Sequence, residues 1–230
     1  MTASALRPYS PALRALSLLV RLAPTGRKFF DESILLRRRY HSAGEISVPD
    51  GYRSVWAGPR EIEYIDRHEE ATSPSAYARR AARGDWCLCL KQGDEIIGYR
   101  WATRKSGCVF CGFGPGYELL FFPLQAHQVF VYDSYVYRTY RGRGFSTLIR
   151  ELFQQAAYHE GVRESYSLVA PENTRSLKLT LLGGSEPLCM AYGFRVRNWS
   201  KMILGPSPDE DLERWIDAFK VREGISLQQQ

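Results

Sequence analysis

Residues 140–146 read Tyr140, Arg141, Gly142, Arg143, Gly144, Phe145, Ser146, and the segments on either side differ in kind. Upstream, residues 127–137 (HQVFVYDSYVY) are rich in Val, Phe and Tyr, which favour a strand. Downstream, Phe145, Leu148, Ile149, Leu152, Phe153 and Ala156 recur at helical spacing, and Gly161 suits a stop. A strand, a glycine turn and a helix in this order leave several backbone N–H groups without an intrahelical acceptor. They lie at the helix end whose dipole favours negative charge. Glycine lets a ligand approach the main chain closely, and Arg141 and Arg143 add positive charge. The pattern predicts a site for a phosphorylated ligand; the competing reading is a basic surface turn that binds nothing. No Gly-Lys-Ser/Thr follows, so this is not a nucleotide P-loop. The third glycine of a dinucleotide fingerprint is missing too.

A second block follows in order. Residues 164–170 (ESYSLVA) predict a strand, and Pro171, Glu172, Asn173, Thr174, Arg175 and Ser176 open a helix. Together the two blocks resemble the GNAT superfamily of acyl-CoA-dependent N-acyltransferases. Arg141 to Ser146 is similar to its Arg/Gln-x-x-Gly-x-Gly/Ala signature, with Ser146 at the usual Gly/Ala position. Val136 stands five residues before Arg141, as the family's strand-end valine does, whereas Arg138 replaces a common proline. The resemblance spans residues 48–205.

It implies an α/β fold: a mixed, mostly antiparallel central sheet flanked by helices. It implies acetyl-CoA or another acyl-CoA as co-substrate, with the coenzyme pyrophosphate on the amides of Arg141, Gly142, Arg143, Gly144, Phe145 and Ser146. A backbone N–H of the fourth strand, at Ser134, Tyr135 or Val136, would meet the thioester carbonyl. Asn173 and Ser176 match the family's Asn-x-x-Ser/Ala segment near the pantetheine; for Asn173 a plain helix N-cap is an equal alternative.

The catalytic groups are less well marked. The family's tyrosine seven residues after the Asn is Thr180 here. A Gly-Phe pair occurs later, at Gly193 and Phe194, after Tyr192. Either the helix ends at Gly183 and residues 185–192 form a strand, or a loop is inserted; Tyr192 or Cys189 would then supply the proton to the thiolate. Asp133 is the only acid in its strand and is the candidate base for the incoming ammonium. Its alternative is a hydrogen-bonded strand residue, and alternation puts it opposite Val136 unless a bulge intervenes. Glu118 and His127 are further candidates. Tyr132, Tyr135, Tyr137 and Tyr140 would border the cleft.

The net charge of +6 is concentrated at one end. Residues 1–42 hold Arg7, Arg14, Arg21, Arg27, Lys28, Arg37, Arg38 and Arg39 against Asp31 and Glu32, so the remainder is balanced and nucleic acid is not expected as a partner. Residues 12–22 predict a short amphipathic helix, too short for the roughly 20 apolar residues of a membrane span. The Arg-rich start resembles a mitochondrial transit peptide, which would mean the matrix, but adjacent Asp31 and Glu32 argue against it. The expectation is a cytoplasmic protein with a basic helical arm over residues 1–45, a catalytic domain over 46–206 and a C-terminal helix and tail over 207–230. The arm would contact acidic protein or lipid surfaces, and a homodimer is allowed. Five cysteines suggest reduced thiols; Cys87 and Cys89 share one strand face, so zinc is not expected there.

Between arm and turn, the pattern predicts a strand at 52–57, helices at 59–70 and 73–83, and a hairpin of 86–91 with 95–103 around Gly93 and Asp94. Residues 107–116 read as a loop, 118–123 as an extra strand or pocket wall, and Leu212, Trp215, Ile216 and Phe219 as the apolar face of a last helix. The implied reaction is transfer of an acyl group, most simply acetyl, to a primary amine of a small molecule or protein by direct attack in a ternary complex. The alternatives are a non-catalytic CoA sensor and an interaction protein working through the arm.

Overall fold

The computed structural model describes residues 28–41, 44–68, 76–110, 118–196, 199–205 and 210–225. The expected helix at 12–22 lies outside them. In chain order come β1 (Lys28–Arg39), β2 (Tyr52–Trp56), α1 (Pro59–His68), α2 (Ala76–Ala82), β3 (Trp86–Gln92) and β4 (Glu95–Thr103). Then follow β5 (Gly107–Phe110), β6 (Glu118–Phe122), β7 (Gln128–Val136), α3 (Phe145–His159) and β8 (Glu164–Val169). The chain continues through α4 (Thr174–Leu182), β9 (Glu186–Val196), β10 (Trp199–Leu204) and α5 (Glu210–Glu223). The fold class is the expected one, a mixed and mostly antiparallel sheet flanked by helices. Among the described residues no helix is long and apolar enough to cross a membrane.

The chain divides into two compact units, residues 39–167 and residues 1–38 with 168–230. In the first, β2, β3, β4 and β7 are neighbours in antiparallel pairs, and β7 pairs with β8 in parallel. Cys87 and Cys89 face one side and Leu88 and Leu90 the other, so β3 is buried on both faces. Ile62 and Ile65 of α1 and Tyr77 of α2 pack with Cys87, Cys89, Tyr99 and Trp101. On the opposite face, Phe145, Ile149, Leu152 and Phe153 of α3 pack with Leu88, Leu90, Ile97, Val129 and Val131. These are the helical positions expected of α3. The segment expected as a loop at 107–116 instead begins with β5, which forms a hairpin with β6; residues 111–117 lie outside the described part.

In the second unit β9 pairs antiparallel with both β1 and β10. Here two expected boundaries are corrected. The basic arm does not run to residue 45, because Lys28–Arg39 is a strand whose Ile34 and Leu36 are buried. Leu35 is buried as well, so both faces of β1 are covered. A strand buried on both faces shows a continuous apolar run, not alternation, and Arg37 to Arg39 masked it further. The C-terminal helix is no appendage to this unit either: Leu212, Ile216 and Phe219 of α5 join Ile34, Leu36, Leu177, Leu181, Met190 and Tyr192 in one apolar cluster. Of the two alternatives after α4, the structure takes the first, with the helix ending before Gly183 and a strand following.

The glycine of β4, Gly98, is closely packed. A Cβ there would lie 2.5 Å from the Tyr135 carbonyl oxygen and 2.7 Å from Cδ1 of Ile149. Gly98 thus lets α3 sit down on the sheet where β4 crosses beneath it. Gly98→Ala is expected to cost about 1–3 kcal/mol by overpacking, read as a lower urea midpoint at unchanged slope.

Candidate functional site

The site is built on β7. Trp101 of β4 pairs with Asp133, but Ala102 pairs with Val131, so Tyr132 is an extra residue and β7 is bulged there. Before the bulge Val129 and Val131 pack on the α3 side; after it Val136 does so, while Tyr132, Tyr135 and Tyr137 pack on the α1–α2 side. Asp133 reaches Arg80 of α2, so it too lies on the α1–α2 side, opposite Val136 as alternation requires.

The same alternation sorts the backbone amides. The Tyr137 N–H donates to the Ile97 carbonyl, 3.0 Å away, and therefore points at β4. With period 2, the Tyr135 amide points there too, while those of Ser134 and Val136 point to the other edge. On that edge the parallel pairing with β8 stops at Val131 and Ser167. Ser134 and Val136 therefore offer their N–H groups along an edge that β8 has stopped covering. Tyr135, named from sequence with them, does not: its amide is directed at β4, and its ring stacks on Tyr99 with centroids 5.7 Å apart.

The turn follows directly. Residues 138–140 form a single 3-10 turn, and Gly142 and Gly144 take positive φ of 80° and 83°. Gly144 is the N-cap of α3 and has no side chain to cap it; its carbonyl accepts from Thr147 and Leu148. Among the described residues, the N–H groups of Gly142, Arg143, Gly144, Phe145 and Ser146 find no protein acceptor. A Cβ at Gly142 or Gly144 would meet nothing within 4 Å, so no described group packs on either α-carbon. Phe145 is buried against Tyr52 and anchors the turn, leaving only its amide outside. Arg141 donates through Nε to the Val136 carbonyl at 2.9 Å, and its guanidinium carbon lies 5.1 Å from the Tyr135 ring. Arg143 leans toward Tyr140, 5.9 Å away. Both arginines are exposed. Five amides without a protein acceptor among the described residues, a helix N-terminus and two exposed guanidinium groups adjoin here, an arrangement of the kind that suits an anion.

Around Asp133 the chemistry is enclosed. Arg80 is 5 % exposed, and its Nη1 donates to Asp133 Oδ2 at 2.5 Å. Its guanidinium also lies over three rings: Tyr77 at 4.7 Å, Tyr132 at 5.2 Å and Trp101 at 5.6 Å. The Tyr132 hydroxyl donates to Asp85 Oδ2 at 2.8 Å, which also accepts from Arg83. Burial, and then the Asp85 carboxylate, push the Tyr132 phenol up, so it stays protonated. Burial beside Cys89 likewise pushes the Cys87 thiol up, which removes it as a nucleophile. Sequence reading missed Arg80; the available signal was its i+3 spacing from Tyr77 on α2, which puts both on one helix face.

Of the remaining predicted residues, Asn173, Ser176, Thr180, Cys189 and Tyr192 belong to the other unit, and Glu118 and His127 to this one. Asn173 caps α4, its Oδ1 accepting from the Ser176 amide at 3.2 Å. The Thr180 hydroxyl donates to the Ser176 carbonyl at 2.7 Å. Tyr192, offered as a proton donor, is 3 % exposed and sits in the apolar cluster with Leu36 and Leu212, which is a packing position. Cys189 is buried as well. His127 is partly buried, and its carbonyl accepts from Arg163. The Glu118 side chain lies outside the described set.

The acetyltransferase (GNAT) family model matches residues 49–183, more than half of the chain, and the chain belongs to that family. No curated protein matches it in sequence. Among solved structures, a Drosophila protein is similar over 82 % of this chain and 58 % of its own, at 14 % identity and TM-score 0.55. A tandem GNAT protein from the clavulanic acid biosynthesis pathway matches 90 % of this chain and 62 % of its own, at 17 % identity and TM-score 0.54. A GCN5-related N-acetyltransferase from Sphaerobacter thermophilus matches 86 % and 59 %, at 16 % identity and TM-score 0.51. At these identities the likeness is one of fold, and the chain spans about three fifths of the length of these structures.

Substitutions at two positions separate backbone conformation from capping. Gly144→Val should cost roughly 1–2 kcal/mol, because a branched residue at positive φ is strained even in open space. Asn173→Ala should cost about 1 kcal/mol through the lost cap, and Asn173→Ser should restore most of it. Both are read by urea unfolding followed by circular dichroism.

Proposed function

We propose that this chain transfers an acyl group, most simply acetyl, from acyl-CoA to a primary amine by direct attack in a ternary complex. The observation that carries the reading is the run of five amides at Gly142 to Ser146 with no protein acceptor among the described residues, following the stretch of β7 that β8 no longer pairs with. The amides and Arg141 and Arg143 would hold the coenzyme's diphosphate. The Ser134 or Val136 N–H would meet the thioester oxygen as negative charge builds on it. The amine nitrogen bonds to the carbonyl carbon, the carbon–sulfur bond breaks, and the thiolate leaves. The ammonium must first lose a proton. Asp133 is the acid of β7 nearest this edge; one oxygen is held by Arg80, and the other is the atom that could take the proton, directly or through water. No cysteine is needed, in keeping with the burial of Cys87 and Cys189. The acceptor is an amine-bearing small molecule or protein.

One observation favours a second reading, a CoA-binding sensor without turnover. Thr180 replaces the family's tyrosine, and its hydroxyl is already engaged by the Ser176 carbonyl. In this reading the cradle works and the reaction does not.

Thermal shift tests the first step. A ligand at a hundredfold its dissociation constant stabilises by about 2.7 kcal/mol. For a chain of this size that raises Tm by about 5–10 °C. Acetyl-CoA and free CoA should both do so, and Gly144→Val should abolish both shifts; absence of any shift with wild type would end the reading. Release of free thiol from acetyl-CoA across a panel of primary amines then separates enzyme from sensor.

A further inference from the structure

The bulge in β7 is clamped, and the clamp comes from outside the strand. Both residues at the bulge, Tyr132 and Asp133, are turned toward α1 and α2, and both are held by one short stretch of chain from Arg80 to Asp85. Arg80 donates to Asp133 and covers the Tyr132 ring. Asp85 accepts from the Tyr132 hydroxyl and is itself fixed by Arg83. The Asp85 amide donates to the Arg80 carbonyl at 3.2 Å, which ties the two ends of the stretch together.

The register of β7 has an alternative. Without the extra residue, every side chain and amide beyond it would exchange faces and edges. The Ser134 and Val136 amides would then turn to β4, and the Tyr135 amide would turn to the open edge. Asp133 would be carried to the α3 side, away from Arg80. The unbulged register would therefore leave a buried guanidinium without its carboxylate, which is strongly unfavourable. Holding Asp133 selects the register in which Ser134 presents its amide.

We propose that Arg80 is a positioning residue: through Asp133 and Tyr132 it fixes the bulge that aims the Ser134 amide at the acyl carbonyl of the bound thioester. The proposal rests on the acyltransferase reading. It assigns Arg80 no contact with substrate, and it places the effect on the acyl group and not on the coenzyme, because the diphosphate cradle at Gly142 to Ser146 lies beyond the bulge and does not include it.

Calorimetric titration of the full chain with acetyl-CoA and with free CoA isolates the effect without any acceptor amine. One well-aimed amide–carbonyl hydrogen bond favours acetyl-CoA over CoA by about two- to tenfold. Arg80→Met should erase that preference while leaving the CoA dissociation constant within about twofold of wild type. A general loss of structure would weaken both ligands equally, and that result would overturn the proposal, as would a preference that survives in Arg80→Met or is absent from wild type. Should Arg80→Met fail to fold because Asp133 is left unpaired, the double variant Arg80→Met/Asp133→Asn removes both charges and is read in the same way. In nitrogen-15-labelled protein, the Ser134 amide resonance should move with acetyl-CoA but not with CoA in wild type, and with neither in the variant. If free CoA gives no heat with wild type, it is the acyltransferase reading that fails; if CoA binds normally and only the acyl preference is indifferent to Arg80, it is the clamp.

Discussion

One extra residue in β7 decides what this sheet can present to a ligand. Because Tyr132 has no partner on β4, the strand changes phase, and Ser134 and Val136 direct their amides to the edge from which β8 has withdrawn. The phase also determines how the strand joins the turn. The Val136 carbonyl points to the same edge, and Arg141 reaches back five residues to donate to it. The arginine of the turn is thereby oriented by the strand, and the open edge runs without interruption into the cradle at the start of α3. Gly98 completes the arrangement from below, since a side chain there would run into the Tyr135 carbonyl of β7 and Ile149 of α3.

The charges of this unit fall into two kinds. Arg141 and Arg143 remain in water and lose little by waiting for an anion, as exposed guanidinium groups are worth little to stability. Arg80 is withdrawn from water, and burial alone would favour its neutral form; Asp133 and the tyrosine neighbours more than offset this, so its charge is held more firmly than usual. The three ring faces supply attraction without competing for its donors. The cations beside the turn are thus left solvated, and the cation beside the bulge is enclosed.

The turn, the helix after it and the hairpin around Gly93 and Asp94 were legible because each is written in a local pattern: glycine where φ is positive, apolar residues at a single period. The amide cradle was legible for the same reason. β1 was not, since burial on both faces removes the alternation that marks a strand, and three arginines at its end imitate a basic arm. The burial of Tyr192 was not legible either, because one sequence cannot distinguish a tyrosine facing solvent from one facing Leu212. The bulge could not be read at all: it exists only in the register between β7 and β4, which the sequence of neither strand contains. Asn173 shows the intermediate case, where the cap expected from local chemistry is present.

The second unit is assembled from the two ends of the chain, residues 1–38 and 168–230. During synthesis β1 emerges well before its partner β9, which ends at Val196, so Ile34, Leu35 and Leu36 are made long before that ladder can form. The unit formed by residues 39–167 has all its strands available earlier. The first unit can therefore complete its sheet before β1 and β9 are able to pair, and an unpaired apolar strand is the kind of segment that aggregates during folding.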